Sequence, residues 1–129
     1  MVSIDTNILI RIFTNDEPGQ THKALDIFKK NLVFVSKTVL LETEWVLRYS
    51  YKLDTKVITE SFRKLIGLDN IEIENLPQVL ATLELYEKGM DFADALHLNA
   101  CKDRVFATFD KKMAAKSKKL GKDNVLLLK

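Results

Sequence analysis

Leu32-Val33-Phe34-Val35-Ser36-Lys37-Thr38-Val39-Leu40-Leu41-Glu42-Thr43-Glu44-Trp45-Val46-Leu47 is the stretch that decides the fold class. Its first four residues are apolar, mostly β-branched or aromatic, and bounded by polar residues. They read as a short central strand. Ser36 is a preferred helix N-cap, and the helix behind it is expected to run to about Tyr51. The same order, strand then helix, recurs outward in both directions. Upstream, Met1 to Ile4 is an apolar start ending at Asp5. Asp5 or Thr6 then caps a helix in which Ile8, Leu9, Ile12 and Phe13 recur at helical spacing. Residues 15–20 (NDEPGQ) read as a loop broken by Pro18 and Gly19, and Thr21 to Lys30 as a short amphipathic helix.

Downstream, Asp54 to Leu65 is expected to be helical, with Gly67 as its C-cap. Ile71 to Ile73 alternates as a strand. Leu76 to Glu87 is a helix with Pro77 in its first turn, ended by Lys88-Gly89. Asp91 to Lys102 is an Ala- and Leu-rich helix, Val105 to Thr108 a strand, Asp110 to Leu120 a lysine-rich helix, and Val125 to Leu128 a last strand. Short apolar strands alternating with helices imply α/β architecture: a three-layer α/β/α domain on a central parallel sheet of about four to five strands. One domain, residues 1–129, is expected from a chain of this length. Ligands of such sheets bind beyond the carboxyl ends of the strands.

Composition removes several classes. The one cysteine, Cys101, has no internal disulfide partner and no zinc-ligand spacing around it. A reducing, cytoplasmic setting is expected. No signal peptide and no membrane-length apolar run are apparent. Twenty basic and 18 acidic side chains give a formal charge of only +2, too little for a nucleic-acid coat protein. The charge is segregated, however. Asp69 to Asp103 holds eight acids against two lysines, and Arg104 to Lys129 eight bases against two acids.

The acids fall at expected strand ends. Asp5 follows the first strand, Asp110 lies two residues past Thr108, and Glu42 sits in the second turn after the central strand. Asp91 and Asp94, three apart, share one face near the start of their helix. A parallel sheet would carry most of these acids to one edge. Carboxylates gathered there repel one another unless a cation neutralises them. Oxygen-only ligands suit Mg²⁺ or Mn²⁺, and the chemistry favoured is phosphoester hydrolysis. Each acid also has a plainer role. Asp5 and Asp110 fit as N-caps, Asp91 and Asp94 suit a helix dipole, and Glu42 fits an exposed face. Glu44 is expected to be exposed, paired with Arg48 one turn on. Trp45 is expected in the core. His97 is expected to be a partly buried structural histidine.

Four segments together resemble the PIN-domain nucleases. Ile4-Asp5-Thr6-Asn7 is similar to that family's opening motif, and Val39 to Leu47 to its glutamate-bearing helix. Asp91-Phe92-Ala93-Asp94-Ala95-Leu96-His97 resembles the DxxDA segment, and Ala107-Thr108-Phe109-Asp110-Lys111 the closing T-x-D segment. Their order matches the family and spans nearly the whole chain. Size and compactness resemble the VapC-type toxins of toxin–antitoxin pairs. The resemblance implies a PIN-like fold and a Mg²⁺-dependent ribonuclease, with Mn²⁺ as a substitute. It assigns Asp5, Glu42, Asp94 and Asp110 as catalytic, metal-binding acids and Asp91 as an auxiliary ligand. Asn7, Thr108 and Thr6 would support the carboxylates or metal waters. The implied partners are RNA and a cognate antitoxin protein. His97 departs from the usual apolar residue at its place.

Lys111, Lys112 and Lys116, with Lys118, Lys119 and Lys122, could steer RNA phosphates, as could Arg11; a solvated helix face is the plainer alternative. Ile8, Ile12, Phe13, Phe28 and the Val39–Leu47 helix could supply an apolar face for a homodimer or a partner helix, or belong to the core. Rival classes fit less well. A haloacid-dehalogenase-like phosphatase would want a second acid where Asn7 stands. A phosphoacceptor receiver would want an acidic pair near Asp5 and an aspartate just after Ile73. A PIN nuclease of RNA processing or repair, without an antitoxin, fits the same residues.

Overall fold

The computed structural model describes all residues, Met1 to Lys129. It divides into two compact units, Met1–Leu76 and Pro77–Lys129.

The first unit is built on three parallel strands. In chain order it has β1 (Val2–Ser3), α1 (Thr6–Thr14), α2 (Pro18–Lys30), β2 (Val33–Val35), α3 (Lys37–Tyr49), α4 (Thr55–Ile66) and β3 (Ile71–Ile73). β2 is central: Val33 is in register with Val2 on one side and with Ile71 on the other. Parallel neighbours need a crossover, and a helix pair supplies each one. Val33 and Val35 are fully buried, as a strand covered on both faces requires. Side-chain caps start three helices: Asp5 accepts from Ile8 N–H, Ser36 from Val39 N–H and Asp54 from Val57 N–H.

The second unit holds α5 (Leu76–Glu87, from its second residue), α6 (Phe92–Ala100), β4 (Phe106–Thr108), α7 (Lys111–Lys119) and β5 (Val125–Leu127). β4 and β5 pair in parallel, with Phe106 opposite Val125 and Thr108 opposite Leu127. Leu85, Met90, Ala95, Leu98 and Met113 form its core, with Cys101, Phe106, Leu120 and Val125 packed against them. All five expected strands are present and all pairing is parallel. The hydrogen bonds run in two ladders, of three strands and of two, rather than in one continuous sheet.

Several sequence expectations need correction. Residues 15–20 are not all loop, because α2 begins at Pro18. Proline is well suited to a first helical turn, where its missing N–H costs nothing. Asn15, left-handed at φ 51°, ends α1, and the turn is held by Arg11, which donates to Gln20 Oε1 at 2.6 Å and Asp16 Oδ1 at 2.8 Å. Glu44 is not exposed but buried, at 1% of its full accessibility. Leu40, Thr43, Glu44 and Leu47 form the buried stripe of α3, and Arg48 neutralises the carboxylate there (Nε to Oε2, 2.6 Å). Trp45 lies beside that stripe and is 55% exposed, its ring tilted against Tyr49 with centroids 4.9 Å apart. His97 is exposed, since α6 buries Phe92, Ala95, Leu96 and Leu98 instead. Its ring stacks on Phe106 at 6.4 Å.

Candidate functional site

Asp91, Asp94 and Asp110 line one cavity of about 520 Å³ in the second unit, together with Gly89, Met90, Lys112, Met113 and Lys116. Local backbone chemistry puts each acid there. Asp91 caps α6, accepting from Asp94 N–H at 3.2 Å, so the two side chains share the first turn. Asp110 caps α7, accepting from Met113 N–H at 3.0 Å. Its own N–H donates to Thr108 Oγ1 at 3.0 Å, so the last residue of β4 sets where that aspartate stands. Thr108 therefore supports Asp110 through the backbone rather than through the carboxylate.

Electrostatics mark Asp94 within the trio. Its carboxyl is pushed above the ordinary value, first by burial and then by the negative charges of Asp91 and Asp110. His97 opposes that shift. Like-charged carboxylates held together this way favour a proton or a cation between them. Lys112 and Lys116 line the same cavity without pairing with any of the acids.

Gly89 has a role the sequence hid. Gly89 follows α5 at φ +100°, a conformation side chains rarely adopt, and a Cβ there would stand 2.9 Å from Lys116 Nζ. The bare glycine lets that lysine lie across the cavity wall. In sequence it signals only a helix end.

Asp5 lines a second cavity, of about 440 Å³, with Asn7, Ile8, Arg11, Gln20, Lys23, Ala24 and Ile27. Its cap bond to Ile8 occupies one carboxylate oxygen, at 3.3 Å. Next to it, Thr6 Oγ1 is buried and has no hydrogen-bond partner. Arg11 also donates to Tyr51 Oη at 3.4 Å, and Tyr51 donates to Asp16 at 2.6 Å. The Tyr51 bond, then the Asp16 charge, raises the guanidinium above its usual range. Arg11 thus serves the α1–α2 turn. Glu42 stands exposed on α3, adjacent in sequence to buried Thr43 and Glu44.

The PIN domain family matches residues 2–119, more than nine-tenths of the chain. The chain belongs to the PIN domain family. Comparison with curated proteins gave no match. PIN domains are generally nucleases, so a nuclease fold is established for this chain. The family generally uses divalent metal ions. No three His, Cys, Asp or Glu side chains of this PIN domain are arranged as a ready-made cage. The donors nonetheless suit a hard cation: the acids of the cavity offer oxygen alone, and burial together with their mutual repulsion raises Asp94. Magnesium keeps several waters and takes one or two carboxylates plus substrate phosphate, so a closed protein cage is not required.

Proposed function

We propose that this PIN domain protein is a Mg²⁺-dependent endoribonuclease, with Mn²⁺ as a substitute, and that it is the toxin of a toxin–antitoxin pair. The observation that carries the nuclease assignment is the cavity of Asp91, Asp94 and Asp110, present in a chain that belongs to the family. When bound, Mg²⁺ supplies an activated water and charge neutralisation at the scissile phosphate. Asp94 and Asp110 would hold that cation, with Asp91 assisting them. By the family resemblance, Asp5 and Glu42 would be further catalytic, metal-binding acids. Thr108 keeps Asp110 in position, while Asn7 and Thr6 support Asp5. Lys112 and Lys116 meet the negative charge that grows on the phosphate in the transition state.

RNA is the substrate in this proposal, and the products carry 5′-phosphate and 3′-hydroxyl ends. The remaining proposed context is a single functional domain, a homodimer, a cytoplasmic setting and a small antitoxin that silences the enzyme. No helix of the protein is long and apolar enough to cross a membrane. The test is incubation of total RNA with Mg²⁺ and either wild type or Asp94→Asn, with the cut ends mapped. Wild type should cut, and both the variant and excess EDTA should abolish cutting. Undiminished cleavage in either condition overturns the metal mechanism. A reading frame for a small antitoxin just upstream separates a toxin from a PIN nuclease of RNA processing or repair.

A further inference from the structure

α7 separates two unlike surfaces. Lys112, Met113 and Lys116 face the acidic cavity. Lys111, Ala114, Ala115 and Lys118 face a different cleft of about 570 Å³, completed by Gly121, Lys122, Asp123, Val125 and Leu127. The stripe 111, 114/115, 118 repeats at helical spacing, and the chain turns at Gly121 (φ +82°) to set Lys122 after it. Lysine ammonium groups therefore rim a floor of alanine methyls and two half-buried β5 side chains, Val125 and Leu127.

Two further observations distinguish this cleft from a solvated face. None of the ion pairs Arg11–Asp16, Lys30–Asp26 and Arg48–Glu44 involves Lys111, Lys118 or Lys122. A surface helix stabilised on its own account commonly spaces acids among its lysines. α7, KKMAAKSKK, contains none, and its one flanking acid, Asp110, is the cap at its N-terminal end. The macrodipole explains lysines in the last turn but not Lys111 in the first, where a positive charge is unfavourable.

We propose that the cleft of Lys111, Lys118 and Lys122 is a binding track for the phosphates of a single RNA strand outside the scissile bond, with the Ala114–Ala115–Val125–Leu127 floor taking base or ribose faces. The track rests on the RNA assignment made above and extends it to a surface on the opposite flank of α7 from the acids. Lys111 and Lys118 are about 10 Å apart along the helix axis. That separation exceeds the span of one phosphate, so it suits a strand carrying several rather than one isolated anion.

The test is binding of a fluorescent single-stranded RNA 20-mer, measured by anisotropy in EDTA so that no cleavage occurs, across a salt series. The variants are Lys111→Gln/Lys118→Gln/Lys122→Gln and a control, Lys29→Gln/Lys56→Gln/Lys64→Gln, on exposed helix positions of the first unit. Each phosphate contact contributes about 0.7 to the slope of log affinity against log salt for single strands. The track variant should lose about 2 from that slope and bind roughly tenfold more weakly or worse, while the control stays near wild type. Equal losses in the two variants, or none in the track variant, overturn the track and leave the nuclease assignment standing. Wild type that binds no RNA, yet binds an acidic peptide through these lysines, overturns the RNA track in favour of a protein partner. A thermal melt and a far-ultraviolet circular dichroism spectrum equal to those of wild type show that the track variant is folded.

Discussion

Asp94 carries a charge that its surroundings oppose. Burial and two neighbouring aspartates raise its carboxyl above the ordinary 3.8, so in metal-free protein the folded state holds its proton longer than the unfolded state does. Below the unfolded value both states are protonated, and no penalty exists. Above the folded value the penalty is complete, so ionised Asp94 destabilises the fold at neutral pH. Asp94→Asn should therefore melt higher than wild type at pH 7 in EDTA, and the gain should fade as pH drops toward 4. A variant that melts lower at pH 7 contradicts this electrostatic account. Glu44 is the opposite case, a buried carboxylate with its cation beside it. Arg48 reaches it at 2.6 Å and 3.3 Å while lying 4.5 Å from the Tyr49 ring. Arg48→Met keeps most of the stem and removes the cation that faces the buried carboxylate. A loss of about 3 kcal/mol is expected in urea unfolding, as for other broken buried pairs. Glu44→Gln/Arg48→Met should recover most of it; an equal loss in the double variant would mean that packing, not charge, is responsible.

At the scale of elements, the cavity aspartates Asp91 and Asp110 are also helix caps. Asp110 satisfies Met113 N–H, and Thr108 satisfies Asp110 N–H, so the end of β4 and the start of α7 form one hydrogen-bonded turn. Asn caps as well as Asp, whereas Ala does not. Asp110→Ala should lose about 1 kcal/mol of stability, and Asp110→Asn only a few tenths. Both should lose Mg²⁺-dependent cleavage. Denaturant melts alongside an RNA assay separate the two duties, and full activity in Asp110→Asn would leave Asp110 a cap and nothing more. This double duty explains why the elements were legible in the chain. Ser36, Asp54, Asp91 and Asp110 announce helices through their own cap chemistry, and Ile71–Ile73 announces a strand through alternation. What stayed hidden depends on tertiary burial. The apolar pattern of α3 does not reveal that Glu44 lies on its inner stripe while Trp45 points outward. Gly89 reads in sequence as a helix end, and the approach of Lys116 Nζ to it appears only in the folded chain.

At the scale of the whole molecule, the formal charge of +2 is a sum of unlike parts. Setting aside Asp5, Glu42, Asp91, Asp94 and Asp110 removes five negative charges and takes +2 to +7. A divalent cation held in the cavity of Asp91, Asp94 and Asp110 would add two positive charges and take +2 to +4. The same cation should stabilise the fold, because it binds where native carboxylates repel and has no such site in the unfolded chain. Mass action sets the size: about 2.7 kcal/mol at a hundredfold excess over the dissociation constant. Wild type titrated with Mg²⁺ or Mn²⁺ should show a rising Tm that EDTA reverses. In Asp94→Asn the starting Tm at pH 7 should be higher and the rise with metal much smaller. The two effects have opposite signs because one residue produces both: its ionised carboxylate destabilises the empty cavity and attracts the ion. A variant that melts higher without metal and still gains the full metal-induced rise would break that link, and the cation would then have to be assigned to other acids.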